Sequence, residues 1–219
     1  MIIPARFNGP PGSGNGGWSA GAFAGATGHD GGVAEVTLRQ PPPLDTPLTV
    51  DAGEVRDRDG LLIAQVRTVD EVPEAVPPVD VETARTAAAA YPGLVDHPFP
   101  GCYVCGPERA DGLRIFPGRL ADGRTAAPFT APADVGPATV WAALDCPGGW
   151  AVIAPGRPYV LGRMAAVVDA LPAPGDECVV TGVAVGGEGR KALVRTSLYG
   201  PDGRLLGRAR ATWIALPGA

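Results

Sequence analysis

Val33-Ala34-Glu35-Val36, then a proline-rich turn ending Pro43-Leu44-Asp45, then Leu48-Thr49-Val50, has a counterpart later in the chain. Met164-Ala165-Ala166-Val167 leads to a turn ending Pro174-Gly175-Asp176 and on to Val179-Val180-Thr181. Each element lies 131 residues after its partner: Val33 to Met164, Pro43 to Pro174, Leu48 to Val179. A single match carries little, because any two antiparallel hairpins share alternating apolar residues and a turn. Three in the same order at one offset argue for an internal duplication.

Outward from these segments, each half reads as a helix followed by antiparallel strands. In the first half, residues 1–7 predict a short strand and Gly9–Gly17 a loop. Trp18 to Thr27 is a run of small apolar residues. Its internal glycines each weaken a helix by about 1 kcal/mol, but small residues suit a helix enclosed on all sides. Strands are predicted at 33–39, 47–56 and 61–69, with Arg58-Asp59-Gly60 as the last turn. Val72-Pro73 and Val76-Pro77-Pro78 mark a linker, an alanine-rich helix follows from Val81 to Ala90, and Tyr91-Pro92-Gly93 stops it. In the second half, strands are predicted at 112–117 and 124–130. A helix runs from Pro137 to about Val152, with a kink or early end at Cys146-Pro147-Gly148-Gly149. Strands follow at 160–171, 177–187, 190–200 and 204–216. The predicted organisation is an N-terminal half (1–70), a linker with a short helix (71–98) and a C-terminal half (99–219). The class is α+β, two antiparallel curved sheets each wrapped round a central helix. One such unit leaves an apolar face and sheet edges uncovered, so two in one chain would cover each other.

Composition narrows the function. The 219 residues are 45% hydrophobic, ample for a core, and 32 Gly with 25 Pro imply many turns. The net charge is -5 with no basic run longer than two residues, which argues against a nucleic-acid partner. No stretch approaches the roughly 18 apolar residues of a membrane span, and Met1–Arg6 lacks the features of a signal peptide. A cytoplasmic location, with free thiols at Cys102, Cys105, Cys146 and Cys178, is the expectation.

Three segments resemble hotdog-fold acyl-CoA thioesterases. Phe99-Pro-Gly-Cys102-Tyr-Val-Cys105-Gly-Pro-Glu-Arg-Ala-Asp-Gly-Leu113 is similar to the Cys-x-x-Cys-Gly-Pro…Gly-Leu opening of many hotdogs of that superfamily. Val140-Trp-Ala-Ala-Leu-Asp145-Cys-Pro-Gly-Gly-Trp150-Ala resembles its central helix, and Asn15-Gly16-Gly17-Trp18 its Gly-Gly helix start. The resemblance implies a double hotdog. It also implies a chemistry in which a backbone N–H at a helix N-terminus polarises a thioester carbonyl and a carboxylate about two turns on activates water or attacks directly. The sequence divides that pattern. Eight or nine residues before Asp145 stand Gly136 and Pro137, and proline has no N–H; eight residues after Gly16 stands Ala24, not an acid.

The implied site therefore combines Asp145 as base or nucleophile with Gly16 and Gly17 as oxyanion donors. Asn15 would orient water or substrate, and Trp18, Trp141 and Trp150 would form pocket walls. No cofactor and no metal are expected. The partner expected is an acyl-CoA or acyl-carrier thioester, with a homodimer of double hotdogs as a further assembly. Two other readings stay open: a non-catalytic acyl-ligand-binding protein, and a hydratase or dehydratase. The last is weakened by the lack of a histidine at either helix start, His29 helping only if folded back onto the site.

Other constellations are weighed against these. Cys102 and Cys105 with His97, Cys146 or Cys178 would make an incomplete zinc set, since there is no second Cys pair, so buried thiols are expected. Cys146 lacks a histidine at helical spacing, which argues for a packed thiol rather than a nucleophile. Gly9–Gly17 lacks the Gly-Lys-Ser/Thr ending of a phosphate loop, and no Gly-x-Ser-x-Gly elbow is present. Arg157, Arg163, Arg190 and Lys191 are either a grip for coenzyme A phosphates or solvated charges.

Overall fold

The computed structural model describes residues 1–28 and 33–217; His29 lies outside the described residues. Ten strands form one antiparallel sheet in the order β2-β3-β4-β1-β7-β10-β9-β8-β6-β5. They are β1 (Val33–Leu38), β2 (Thr49–Asp51), β3 (Glu54–Arg56), β4 (Leu62–Val69), β5 (Gly118–Arg119), β6 (Thr125–Thr130), β7 (Tyr159–Val168), β8 (Glu177–Glu188), β9 (Lys191–Tyr199) and β10 (Leu205–Ala215). The first eight strands of this order are palindromic: β2-β3-β4-β1 is mirrored by β7-β10-β9-β8, with β6 and β5 added at one end. The centre of the palindrome is the β1–β7 ladder, Ala34 opposite Ala166 through Thr37 opposite Arg163. The two expected sheets are thus joined edge to edge into one, and the fold is α+β.

Helices α1 (Gly16–Ala26) and α3 (Pro137–Trp150) lie on one face of the sheet and against each other. Glycines make that contact close: a β-carbon on Gly21 would stand 2.7 Å from Cβ of Trp141. Helix α2 (Val81–Ala89) covers the other face. Neighbouring residues of β6 show the division, Ala126 joining Ala84 and Ala87 of α2 while Ala127 joins the main core.

The glycine-weakened segment is helical from Gly16, because α1 buries small residues on nearly every side instead of presenting a polar face. Helix α3 continues through Pro147 to Trp150 and so does not end early there. Buried threonines of the sheet take up its carbonyls: Thr196 donates to Leu144 O and Thr125 to Pro147 O, each at 2.7 Å. Gly148 and Gly149 let Val194 and Trp213 close in behind. The single strand expected at 47–56 is a hairpin, turned by Ala52 and Gly53 at φ 46° and 80°. Residues 112–117 are not a strand; Leu113 and Ile115 bond to the carbonyls of Tyr103 and Val104, with Arg114 at φ 53°. Residues 1–3 bond to the 45–48 segment, as Leu48 N to Met1 O and Asp45 N to Ile3 O, both 2.8 Å, before Pro4 ends the run. Among the described residues no helix is long and apolar enough to cross a membrane.

Candidate active site at the start of the first central helix

Asn15 caps α1, its Oδ1 accepting from the Trp18 N–H at 2.8 Å. That fixes the amide plane and turns Nδ2 toward α3, 3.2 Å from Asp145 Oδ2. The Gly17 N–H donates to the same oxygen at 2.9 Å. Such an approach needs glycine at 17: a side chain there would run into Asp145 Cβ and stand 2.7 Å from Trp141 O. The acid of one half is therefore held by the helix N-terminus of the other.

Asp145 is only 2% exposed. Its second oxygen, Oδ1, makes no hydrogen bond among the described residues. Burial raises the carboxyl pKa to about 7, against the lowering effect of the Gly17 N–H and Asn15 amide. Asp145 also lines a cavity of about 420 Å³, within the range of small-ligand sites. The lining is mostly apolar, from the 9–16 loop, the Leu38–Pro42 turn, the 97–105 segment, β7 and β10.

The predicted site residues divide. Asn15, Gly16, Asp145 and Trp150 line the cavity. Gly17 is adjacent, but its N–H is taken by Asp145; the Gly16 N–H, in the first helical position, has no hydrogen bond among the described residues. Trp18 instead stacks on Phe7, ring centroids 3.8 Å apart, and Trp141 packs on Gly21; neither lines the cavity.

Two residues of the wall were missed as cavity residues. Trp213 on β10 lines it, and its indole Nε1 is buried with no partner among the described residues. His97, weighed only as a metal ligand, is brought in by the linker, which ends as cavity wall rather than as a spacer. Its Nδ1 accepts from the Phe99 N–H at 2.8 Å and its Nε2 is 3.3 Å from Cys105 Sγ. Beside it Cys102, Cys105 and Cys146 converge, all Sγ atoms within 4.8 Å of one another, with no disulfide.

No protein-family model and no curated protein matches the chain. Among solved structures, a hot dog fold protein of unknown function from Alicyclobacillus acidocaldarius matches with a TM-score of 0.62 and 14% identity, covering 100% of this chain and 92% of that one. Single-domain matches are looser. The PaaI protein of E. coli gives a TM-score of 0.41 at 12% identity, over 44% of this chain and 75% of its own. A hypothetical thioesterase with coenzyme A from Streptococcus pneumoniae gives 0.42 at 14% identity, over 46% and 86%. The full-length match shows the fold: the chain is a double hotdog, two halves sharing one sheet.

Proposed function

We propose that the protein hydrolyses an acyl-CoA-type thioester in this cavity, with Asp145 as general base. The observation that carries the reading is the carboxylate itself, buried in a cavity wall with one oxygen clamped by Gly17 and Asn15 and the other unpartnered. A thioester carbonyl oxygen placed at the Gly16 N–H would meet the positive end of α1. Asp145 Oδ1 would take a proton from water as the water oxygen attacks the carbonyl carbon. The tetrahedral intermediate collapses with cleavage of the C–S bond, and the thiolate recovers the proton from Asp145. A pKa near neutrality suits a group that both accepts and returns a proton.

Charge placement gives a direction for the ligand. Arg157 and Lys191 line a shallower depression with the β8–β9 turn, and Tyr159 lines both it and the cavity. In this reading the phosphates would lie at the depression and the acyl chain in the cavity. Arg163 is not part of it, being bound to Thr37 and beside Glu35 on β1. The palindromic strand order supports descent from a duplicated single hotdog. Among the described residues the one histidine is His97, and both of its ring nitrogens are engaged, which favours hydrolysis over a dehydratase.

The test is hydrolysis over a panel of acyl-CoA chain lengths with the parent and Asp145→Asn. The expected result is turnover by the parent and a fall of about 10²–10⁴-fold in the variant. Equal rates in both would overturn the role of Asp145. No turnover, with acyl-CoA still raising the melting temperature, would favour an acyl-binding protein.

A further inference from the structure

The thiol cluster beside Asp145 plays no part in thioester cleavage, and its surroundings are unlike those of packed thiols. Cys102-Tyr103-Val104-Cys105-Gly106 forms a tight turn closed by the Gly106 N–H on Cys102 O at 2.9 Å. Only glycine fits its last position, since a β-carbon would stand 2.5 Å from Cys102 N. Helix α3 sets Cys146 against the turn, so the three sulfurs lie mutually within 4.8 Å. Thiolates around a tetrahedral zinc ion sit about 3.8 Å apart, given Zn–S bonds of about 2.3 Å.

The groups around the sulfurs are donors. Asn15 Nδ2 is 3.9 Å from Cys102 Sγ. His97 is a donor too: because the Phe99 N–H occupies Nδ1, the neutral ring carries its proton on Nε2, facing Cys105 Sγ at 3.3 Å. Side-chain N–H groups aimed at sulfur are what the outer shell of a metal-bound cysteine supplies. Three buried sulfurs converging at the edge of a cavity offer a soft cation most of a tetrahedral ligand set.

We propose that Cys102, Cys105 and Cys146 bind one zinc ion, with the fourth coordination position turned to the cavity that all three line. On binding, three S–H bonds are exchanged for three Zn–S bonds and the protons leave to solvent. With His97 a donor to sulfur rather than a ligand, the fourth ligand comes from the cavity, as water or a thiol. The inference does not depend on the thioester reading.

The experiment uses the full, reduced chain after chelator treatment, titrated with Co²⁺ and then Zn²⁺. A thiolate-to-cobalt charge-transfer band saturating at one equivalent and bleached by zinc is expected. Cys146→Ser weakens binding by about tenfold or more; Cys178→Ser and His97→Ala keep the one-equivalent, sulfur-rich site. X-ray absorption of the zinc-loaded parent covers the case in which a cysteine variant fails to fold, with three sulfur scatterers at about 2.3 Å expected. The proposal is overturned by absence of the charge-transfer band in folded, reduced protein. It is equally overturned by a band indifferent to Cys146→Ser, or by a zinc shell made mainly of nitrogen and oxygen.

Discussion

The two central helices lie side by side but carry different burdens. Helix α1 begins with a capping side chain and a free Gly16 N–H, and holds no acid. Helix α3 begins at Gly136-Pro137, where the Gly136 N–H is absorbed by the Thr139 hydroxyl at 3.3 Å and Pro137 offers none, yet it holds Asp145. Position 24 of α1, where a matching acid would stand, is a buried alanine. Neither helix has the parts of a complete site, and their contact assembles one set. Anion-stabilising backbone and anion can thus be supplied by separate elements, provided that glycine lets those elements touch.

The largest expected consequence of this division is electrostatic. The folded state holds the Asp145 proton up to about pH 7, while the unfolded chain releases it near 3.8. A raised carboxyl pKa means that the folded state binds more protons in that window. Stability from this group is therefore greatest below about pH 4, falls as pH rises to about 7, and then levels off, by on the order of 4 kcal/mol. The nearby groups that tune it are the Gly17 amide, Asn15 and Cys102. Urea unfolding of metal-free protein from pH 4 to 8 should show the decline, and Asp145→Asn should flatten it and be the more stable protein at pH 8. Parallel profiles for the two would break the contrast between the helices.

Helix contact is tested next. Gly17→Ala should cost about 1–3 kcal/mol by forcing α1 away from Asp145 and Trp141. Asn15→Ala removes both the cap and a partner of Asp145, for about 1–2 kcal/mol, and should move the Asp145 titration higher. The smallest effect has the opposite sign. Gly25 would meet nothing within 4 Å, so Gly25→Ala should add about 0.5–1 kcal/mol by propensity alone. Equal losses at positions 17 and 25 would mean that α1 needs glycine for some reason other than its approach to α3. All three are read from chemical denaturation.

Much of this contrast could be read from residue order. The glycines at 16–17 and the acid at 145 stand in unlike halves, and alternating runs gave β7 to β10 nearly to their ends. What escaped depended on partners distant in sequence. The hairpin within 47–56 turns on an alanine with positive φ, which local chemistry does not announce. Pro147 reads locally as a break, yet α3, packed on the sheet and on α1, continues to Trp150. Trp18 and Trp141 were expected at the cavity, but Phe7 and Gly21 take them instead. The linker looks like a spacer in composition, yet Val76 is buried between Ser197 and Tyr199, its N–H and carbonyl both bonded there. His97 then follows into the cavity wall. Cys146 was one of several candidates to join Cys102 and Cys105, and the lack of a second Cys pair argued for packed thiols; Cys146 meets the other two only when α3 is docked.

The β1–β7 ladder has one more consequence. At its middle Glu35 stands opposite Ala165, and its carboxylate is met by Arg67 of β4, Arg163 of β7 and Arg210 of β10. In a pair of identical subunits, any change at such a join is made twice, and any loss in one helix is a loss in both. Joined within one polypeptide, the two sides mutate independently and stay together at any dilution. One side can discard its acid and the other its amide without either subunit having to serve both purposes.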